Sequence, residues 1–264
     1  MARTASVPRT VLTALLGVVT VALLSAGCGS GDTPAQAAPA ELNQADLAVL
    51  PDLNTFGKID NAPLDPAPTA PSTGKVLKVT KELPTYDKPG GKPFGKLPTL
   101  QVGSPTWVPV IAEQGEWAQV LLPSRPNGLA GWIHTPGATE SAPNPYTVKI
   151  NLADYSLDIL RDGKSQGTHK VGIGKPEFPT PKGRHYLMAS IEETKNTYSK
   201  YVLPLSAHSD SHETFGGGPG TVALHTWPTN EHIGKSDSDG CIRVTPETLT
   251  KLMELPLGTV VYVA

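Results

Sequence analysis

Apolar and β-branched residues gather in short runs along much of the chain, and turn residues separate these runs. In the first half, β-prone runs occupy residues 76–79, 106–111 and 117–122. Clusters of turn formers lie between them at 87–91, 114–115 and 126–128. This pattern of several short strands separated by tight turns predicts a small barrel.

Farther along the chain the alternation of apolar and polar residues is stronger. It predicts strands at residues 147–151, 156–160, 167–174, 184–190, 221–224 and 259–263. Thr245 is placed to cap a helix that begins at Pro246 and ends near Leu255. The stretch 191–220 is polar, and Gly216 to Gly220 gives it a flexible exit, so we expect a loop that covers a site.

The first thirty residues have the layout of a secretory signal. Arg3 and Arg9 precede an apolar run, residues 11–24, that is too short to span a bilayer of about 30 Å as a helix. The run ends in the sequence LSAGC at 24–28, which resembles the lipobox of bacterial lipoproteins. The resemblance implies that residues 1–27 are removed and that Cys28 carries lipid. The alternative is an ordinary signal peptide with an accidental cysteine.

Residues 28–74 are predicted to be a Pro/Ala-rich tether with a short helix at 45–50. Prolines recur from Pro34 to Pro71, and apolar periodicity is weak. Such a stretch buries too little surface to offset chain entropy, and its prolines keep it extended. We therefore expect an exported protein, anchored by its N-terminal lipid to the outer face of the cytoplasmic membrane and facing the cell wall.

Composition narrows the classes of function. Proline and glycine supply 27 and 26 of the 264 residues, which favours a β-rich protein over a helical bundle. The formal net charge of -2 gives no electrostatic case for a nucleic-acid partner. The 2 cysteines, Cys28 and Cys241, could in principle join in one disulfide. A lipid on Cys28 would leave Cys241 as a lone thiol, which favours a reactive role over packing alone.

The segment from His225 to Val244 carries the clearest chemistry. A cysteine attacks as the thiolate, and a nearby imidazole can take its proton and later return it to a leaving amine. His225 at one strand end is a candidate base, and Cys241 at another is a candidate nucleophile. Gly240 leaves room for a substrate carbonyl, and we expect backbone N–H groups there to hold the oxyanion.

Two parts of the chain resemble known families. The sequences WVPV at 107–110, GEWAQV at 115–120 and GWI at 131–133 are similar to bacterial SH3-like domains. This resemblance implies an SH3-like barrel over residues 75–140. Its tryptophans serve either as a platform for a wall ligand or as filling for the barrel interior.

Residues 145–264 resemble the L,D-transpeptidase (YkuD-like) catalytic family. The hallmark of that family is a histidine followed by Ser-x-Gly-Cys-Ile/Val-Arg, which matches His225 and the sequence SDGCIR at 238–243. The sequences VGIGK at 171–175, TPKG at 180–183 and LGTVV at 257–261 match further family motifs. The expected fold is thus mainly β: a small SH3-like barrel followed by a YkuD-like β-sandwich with one or two short helices.

The catalytic resemblance implies a peptidoglycan L,D-transpeptidase with peptide stems as donor and acceptor. Cys241 would attack a tetrapeptide stem, release D-alanine and retain the rest as a thioester. The side-chain amine of a neighbouring stem would then form a cross-link between third-position residues. The family implies His225 as the base, oriented by the backbone carbonyl of Thr226. We expect no cofactor and no metal.

Four more residues are expected to contact substrate: Arg243, Ser238, Asp239 and Trp227. Arg243 either binds a carboxylate of the donor stem or anchors its own loop through an internal pair. Asp239 stands where many family members have histidine, and a carboxylate close to the sulfur disfavours the thiolate. We interpret Asp239 as a residue that tunes the thiol or contacts substrate.

Other functions stay open at this stage. His208 and His212 have the spacing of metal ligands on a helix, but their polar, glycine-rich surroundings disfavour a helix, so we expect a polar lid. An L,D-carboxypeptidase would form the same acyl-enzyme and release it to water. A catalytically silent lipoprotein would bind the cell wall through residues 75–135 and keep its second domain as a scaffold.

Overall fold

Strands are the main regular structure of the computed structural model, which describes residues 1–2, 39, 42–195, 197–214 and 218–264. The predicted signal segment beyond residue 2 and the lipidation site Cys28 lie outside the described residues. Gly216 and Gly217 of the predicted glycine exit lie outside them as well. In the part of the chain that is described, no helix has both the length and the apolar character needed to cross a membrane.

The prediction of a mainly β fold is confirmed. The strands of the N-terminal half are β1 (Lys75–Val79), β2 (Leu83–Tyr86), β3 (Pro93–Leu97), β4 (Leu100–Gln101), β5 (Ser104–Pro105), β6 (Trp107–Gln114), β7 (Trp117–Leu121), β8 (Ala130–His134) and β9 (Thr139–Pro143). Those of the C-terminal half are β10 (Tyr146–Asn151), β11 (Ser156–Arg161), β12 (Lys164–Lys170), β13 (Ile173–Gly174), β14 (Gly183–Tyr186), β15 (Ile191–Glu192), β16 (Tyr201–His208), β17 (Thr221–His225), β18 (Ser236–Ser238), β19 (Ile242–Arg243) and β20 (Val260–Val263). The helices are α1 (Gln44–Ala48), α2 (Pro246–Met253) and a 3-10 turn at Asn230–His232.

The N-terminal sheet contains seven antiparallel strands in the order β3-β2-β8-β7-β6-β1-β9. Strand β7 is buried along its whole length. Trp117 at its start packs edge-on against Tyr86, with 5.2 Å between ring centroids. Trp117 therefore fills the interior of this part and does not form an exposed platform. The resemblance to SH3-like domains stays a prediction.

The predicted tether is wrong for residues 51–70, which pack against the N-terminal sheet. Leu53 is 0% exposed and belongs to the core of that sheet. Its side chain lies over Gly95, where a Cβ atom would come within 2.6 Å of a Leu53 methyl carbon. Backbone bridges join Asp52 to Lys96 and Leu64 to Leu129. Extended, proline-rich chain can form such bridges without apolar periodicity, because they use backbone groups.

The C-terminal half is a sandwich of two main sheets. One has the order β12-β11-β10-β20-β14 and the other the order β15-β16-β17-β19. Apolar side chains from both sheets form one core, with Ile150 and Leu157 from the first and Leu203 and Leu224 from the second. Helix α2 adds Leu249 to this core. Strand β16 occupies residues 201–208 of the stretch 191–220, where a loop was expected.

A buried ion pair joins the N-terminal segment to the sandwich. Arg184 on β14 donates from Nε to Asp65 Oδ2 at 2.7 Å and from Nη2 to Asp65 Oδ1 at 2.5 Å. Both side chains are 2% exposed. The Arg184 guanidinium and the Tyr262 hydroxyl also donate to the carbonyl of Ala70. The segment before β1 is thus fixed to both halves of the described protein.

Candidate active site

The candidate nucleophile and base lie on two neighbouring parallel strands. β17 ends at His225, Cys241 directly precedes β19, and the strands pair Leu224 with Ile242 and His225 with Arg243. Leu224 and Ile242 belong to the sandwich core. Because side chains alternate between the faces of a strand, His225, Cys241 and Arg243 share the opposite face. Cys241 is thus two residues before Arg243, the partner of His225, and lies on the face that the imidazole occupies.

The ring of His225 is oriented by the next peptide group. Its Nδ1 lies 2.7 Å from the carbonyl oxygen of Thr226. A carbonyl only accepts, so Nδ1 donates a proton and Nε2 of the neutral ring is left to accept one. Thr226 is fixed in turn, since its N–H donates to Ser199 Oγ at 3.0 Å and its hydroxyl donates to the Tyr198 carbonyl at 3.1 Å.

The charge state of His225 follows from its surroundings. Burial lowers its pKa, the hydrogen bond to Thr226 raises it, and the positive charge of Arg243 lowers it. Burial has the largest effect, so the pKa of His225 is lower than that of an ordinary histidine. The ring is therefore a neutral imidazole at pH 7, as a general base must be.

The groups around the Cys241 thiol have opposing effects on its pKa. Burial raises its pKa most strongly, while a hydrogen bond with the Ala223 backbone and the charge of Arg243 lower it and the charge of Asp239 raises it. The net pKa is higher than that of an ordinary cysteine. At pH 7 the two groups are therefore a neutral thiol and a neutral imidazole, and such an imidazole is able to accept a thiol proton. Cys241 remains partly exposed.

The residue before the nucleophile adopts a backbone conformation that glycine favours. Gly240 has a φ of 110°, in the region that side-chain-bearing L-residues rarely enter. The Thr180 hydroxyl donates to the Gly240 carbonyl and accepts from the Gly174 N–H, each at 2.9 Å. Thr180, 4% exposed, thus ties the glycine-rich segment at Gly174 to the loop that carries Cys241.

Two expectations for this loop need correction. The Gly240 N–H already donates to Ser238 Oγ at 3.2 Å, so it does not stand free as an oxyanion donor. Ser238 is 1% exposed, and its hydroxyl donates to the Cys241 carbonyl at 2.6 Å. A side chain buried and bonded in this way supports the loop and does not face a substrate.

Arg243 forms an internal pair, one of the two arrangements considered for it. Its Nη1 donates to Asp237 Oδ1 at 2.8 Å, and the other oxygen of Asp237 lies 2.6 Å from His232 Nδ1. The guanidinium carbon lies 4.4 Å from the centroid of the Trp227 ring. Arg243 is 8% exposed, whereas Trp227 is 37% exposed and is still a candidate for substrate contact.

Asp239 is paired with a cation. Its Oδ1 lies 2.7 Å from the Nζ of Lys175, and both side chains are partly exposed. The carboxylate two residues before the candidate nucleophile is thus not an isolated charge. Lys175 also lies over the ring of Phe178, with Nζ 4.7 Å from the centroid.

Sequence reasoning did not single out Tyr198, Thr180 or Lys175 as site residues. Thr180 and Lys175 lie in the segments TPKG at 180–183 and VGIGK at 171–175, which match family motifs, and these motifs are the sequence signal that pointed to them. Tyr198 comes from a polar stretch without periodicity, and its ring lies 5.2 Å from that of His225 and 5.5 Å from that of Trp227. Only the fold brings this ring to the site.

The two histidines considered as metal ligands or lid residues make separate contacts within the protein. His208 is 1% exposed, and its Nε2 lies 2.8 Å from the Thr55 carbonyl. The ring of His212 stacks on Phe178, with 4.1 Å between centroids. Across the described ranges, no group of three or more histidine, cysteine and acidic side chains is arranged to hold a metal ion.

Known proteins resemble the sandwich half of the chain. Residues 145–263 match the family model of the L,D-transpeptidase catalytic domain, YkuD. The putative L,D-transpeptidase YqjB of Bacillus subtilis (strain 168) is 27% identical over 124 residues, which are 44% of this chain and 69% of that protein. The family match begins at the sandwich and therefore bears on that part alone.

Among solved structures, two L,D-transpeptidases are similar to part of the chain. An L,D-transpeptidase from Mycobacterium smegmatis gives a TM-score of 0.39 at 14% identity, covering 56% of this chain and 90% of that one. The catalytic domain of the E. faecium L,D-transpeptidase gives a TM-score of 0.37 at 21% identity, covering 45% of this chain and 96% of that one.

Proposed function

We propose that this chain, whose residues 145–263 match an L,D-transpeptidase catalytic domain, is a cysteine-dependent peptidoglycan L,D-transpeptidase. The observation that carries the proposal is the hydrogen bond from His225 Nδ1 to Thr226, beside Cys241 on the same face of the sheet. This bond leaves Nε2 as the proton acceptor for a thiol. The charge states at rest suit general-base activation of that thiol.

The first half-reaction transfers an acyl group to the enzyme. Nε2 of His225 takes the thiol proton as Cys241 Sγ attacks the carbonyl carbon between the diamino acid of the donor stem and its terminal D-alanine. A C–S bond forms and the C–N bond breaks. The imidazolium returns the proton to the departing amine, so that D-alanine leaves and a thioester remains.

The second half-reaction releases the enzyme. The side-chain amine of an acceptor stem attacks the thioester carbon and passes a proton to Nε2 of His225. A C–N bond forms, the C–S bond breaks, and the proton returns to the sulfur of Cys241. The energy of the cleaved amide is retained in the thioester, so the cross-link forms without ATP. If water attacks instead of the amine, the product is a tripeptide stem.

We further propose that the protein is exported and anchored by a lipid on Cys28. The sequence supports this through the basic residues, apolar run and cysteine of the first 28 positions. A single acyl chain holds a protein to a membrane only marginally, and several chains on one terminus hold it stably. An anchor of this kind places the sandwich on the side of the membrane where stem peptides occur.

Purified protein incubated with tetrapeptide stems tests the catalytic proposal. We expect release of D-alanine, a thioester on Cys241 detected by intact mass, and a cross-linked dimer. Tripeptide alone would identify a carboxypeptidase. A carbapenem should also give a covalent adduct that is absent from Cys241→Ala. If wild type and Cys241→Ala behave alike with both reagents, the proposal is wrong and the silent, wall-binding alternative is favoured.

His225→Gln provides a matched test of the base. It removes the proton acceptor but leaves the nucleophile in place, so we expect acylation to slow by about 100-fold or more while Cys241 remains alkylatable. Unchanged acylation would show that another group activates the thiol.

A further inference from the structure

Asp239 brings a negative charge to the loop that carries the proposed nucleophile, two residues before Cys241. The thiol attacks as the thiolate, which carries a negative charge on the sulfur. A nearby carboxylate disfavours that charge. A cation paired with Asp239 would cancel this unfavourable effect of the carboxylate on the sulfur. The structure provides that cation, since Lys175 Nζ lies 2.7 Å from Asp239 Oδ1.

The fold fixes Lys175 opposite Asp239. Strand β13 runs parallel to β18 and pairs Gly174 with Ser238, the residues directly before the two partners. The Lys175 N–H donates to the Ser238 carbonyl at 2.9 Å. The ammonium also lies over the face of Phe178, an additional favourable contact for a cation. The backbone ladder thus holds the two residues next to each other.

The other charged and titratable groups around Cys241 do not replace Lys175. His225 on β17 is neutral at rest, as argued above. Arg243 on β19 favours the thiolate, but its guanidinium is already bound to Asp237. The Tyr198 ring packs against His225 from a third element, and burial raises the pKa of its hydroxyl, which is neutral at pH 7.

We propose that Lys175 is a positioning residue for the reaction of Cys241, because its ion pair with Asp239 neutralises a carboxylate that would otherwise oppose negative charge on the sulfur. The inference deepens the proposed function, since it rests on Cys241 as the nucleophile. It assigns Asp239 and Lys175 a joint role as a neutral pair. Removing the cation alone leaves the carboxylate uncompensated, whereas removing both leaves no net charge.

The test is the rate at which iodoacetamide alkylates Cys241 in the full-length protein, measured from pH 6 to pH 10. In this reaction the sulfur forms a bond to carbon and iodide leaves, so the rate follows the availability of the thiolate. Mass spectrometry of peptides separates alkylation of Cys241 from that of Cys28. Four variants are compared with wild type: Lys175→Met, Lys175→Arg, Asp239→Asn and the double Lys175→Met/Asp239→Asn.

We expect Lys175→Met to slow alkylation at pH 7 by about three- to tenfold. This is the effect on a thiol expected from one uncompensated charge at short range in a partly solvated site. Its rate profile should move to higher pH. Asp239→Asn should react at least as fast as wild type, and the double variant should follow Asp239→Asn. Lys175→Arg should keep the wild-type profile. Lys251→Met, which breaks the surface pair with Glu247 on α2, is the matched control and should change nothing.

Two results would overturn the proposal. Wild-type reactivity in Lys175→Met would show that the pair does not affect the thiol. A double variant as slow as Lys175→Met would show that the lysine acts by supporting the loop and not by its charge. Turnover of stem peptides is measured separately: its absence would count against the proposed function, whereas the alkylation pattern tests the charge argument by itself.

Discussion

The ion pair between Asp65 and Arg184 should contribute far more to stability than an ion pair on the surface. We choose Asp65→Asn as the perturbation, because it removes the charge while retaining nearly the same size. The substitution leaves the Arg184 guanidinium buried opposite a neutral amide. It also replaces one of two charge-assisted hydrogen-bond acceptors by an NH₂ group, which cannot accept.

The magnitude follows from burial. Both side chains are 2% exposed, so water cannot solvate the remaining charge. Breaking such a pair from one side costs about 3–5 kcal/mol of unfolding free energy. The contact of Arg184 Nη1 with the Ala70 carbonyl at 3.2 Å survives the substitution and favours the lower end of this range.

A matched surface pair provides the control. Lys78 and Glu140 lie 3.2 Å apart across strands β1 and β9, with side chains 35% and 61% exposed. Glu140→Gln is the same chemical change as Asp65→Asn but in a solvated position. We expect it to cost less than about 1 kcal/mol.

Urea unfolding followed by tryptophan fluorescence and by circular dichroism measures both variants. The double variant Asp65→Leu/Arg184→Met should recover most of the loss, because neither charge then stays buried without its partner. If Asp65→Asn costs no more than Glu140→Gln, the inference that this pair fixes residues 51–70 to the sandwich is wrong.

Three further predictions concern other positions. Burial lowers the pKa of His185 to about 4, so the free energy of unfolding should fall by about 3 kcal/mol as the pH drops from 6.5 through 4. In urea unfolding over that pH range, His185→Gln should lack this pH-dependent loss. Leu53→Ala should cost about 2–5 kcal/mol in the same assay, while the exposed Val49→Ala should stay within about 0.5 kcal/mol; equal effects would restore the tether interpretation. Thr180→Val should slow alkylation of Cys241 through the loss of the bonds to Gly174 and Gly240, and Thr180→Ser should retain the wild-type rate.

Several strands, among them the one that ends at the candidate base His225, were predictable because their signals are local. The predicted strand 221–224 is observed as Thr221–His225, and 156–160 as Ser156–Arg161. Helix α2 begins at Pro246, and the Thr245 hydroxyl accepts from the Thr248 N–H. Alternation and capping depend on neighbours within a few residues, so the sequence displays them directly.

Contacts between distant residues were not predictable. Asp65 and Arg184 are 119 positions apart, and no periodicity marks either as a partner of the other. Strand β16 was missed because Pro204 and polar neighbours interrupt its apolar residues, although Leu203 and Leu205 are both 0% exposed. Residue types alone made Cys241 a candidate nucleophile, and this role stays a prediction. The pairing of Lys175 with Asp239 depends on a strand ladder between remote segments.

The packing of residues 51–70 has a consequence for how far a lipidated protein could operate from its membrane. A fully extended chain spans at most about 3.5 Å per residue. If Cys28 were held at the bilayer and the folded part began at residue 75, the extended segment between them would let the folded part reach roughly 160 Å from the membrane. With the body beginning at Pro51, the limit is roughly 80 Å. If Cys28 carries the proposed lipid and the proposed activity holds, cross-linking would be confined to wall within this shorter distance of the membrane, and lengthening the segment before Pro51 would extend it.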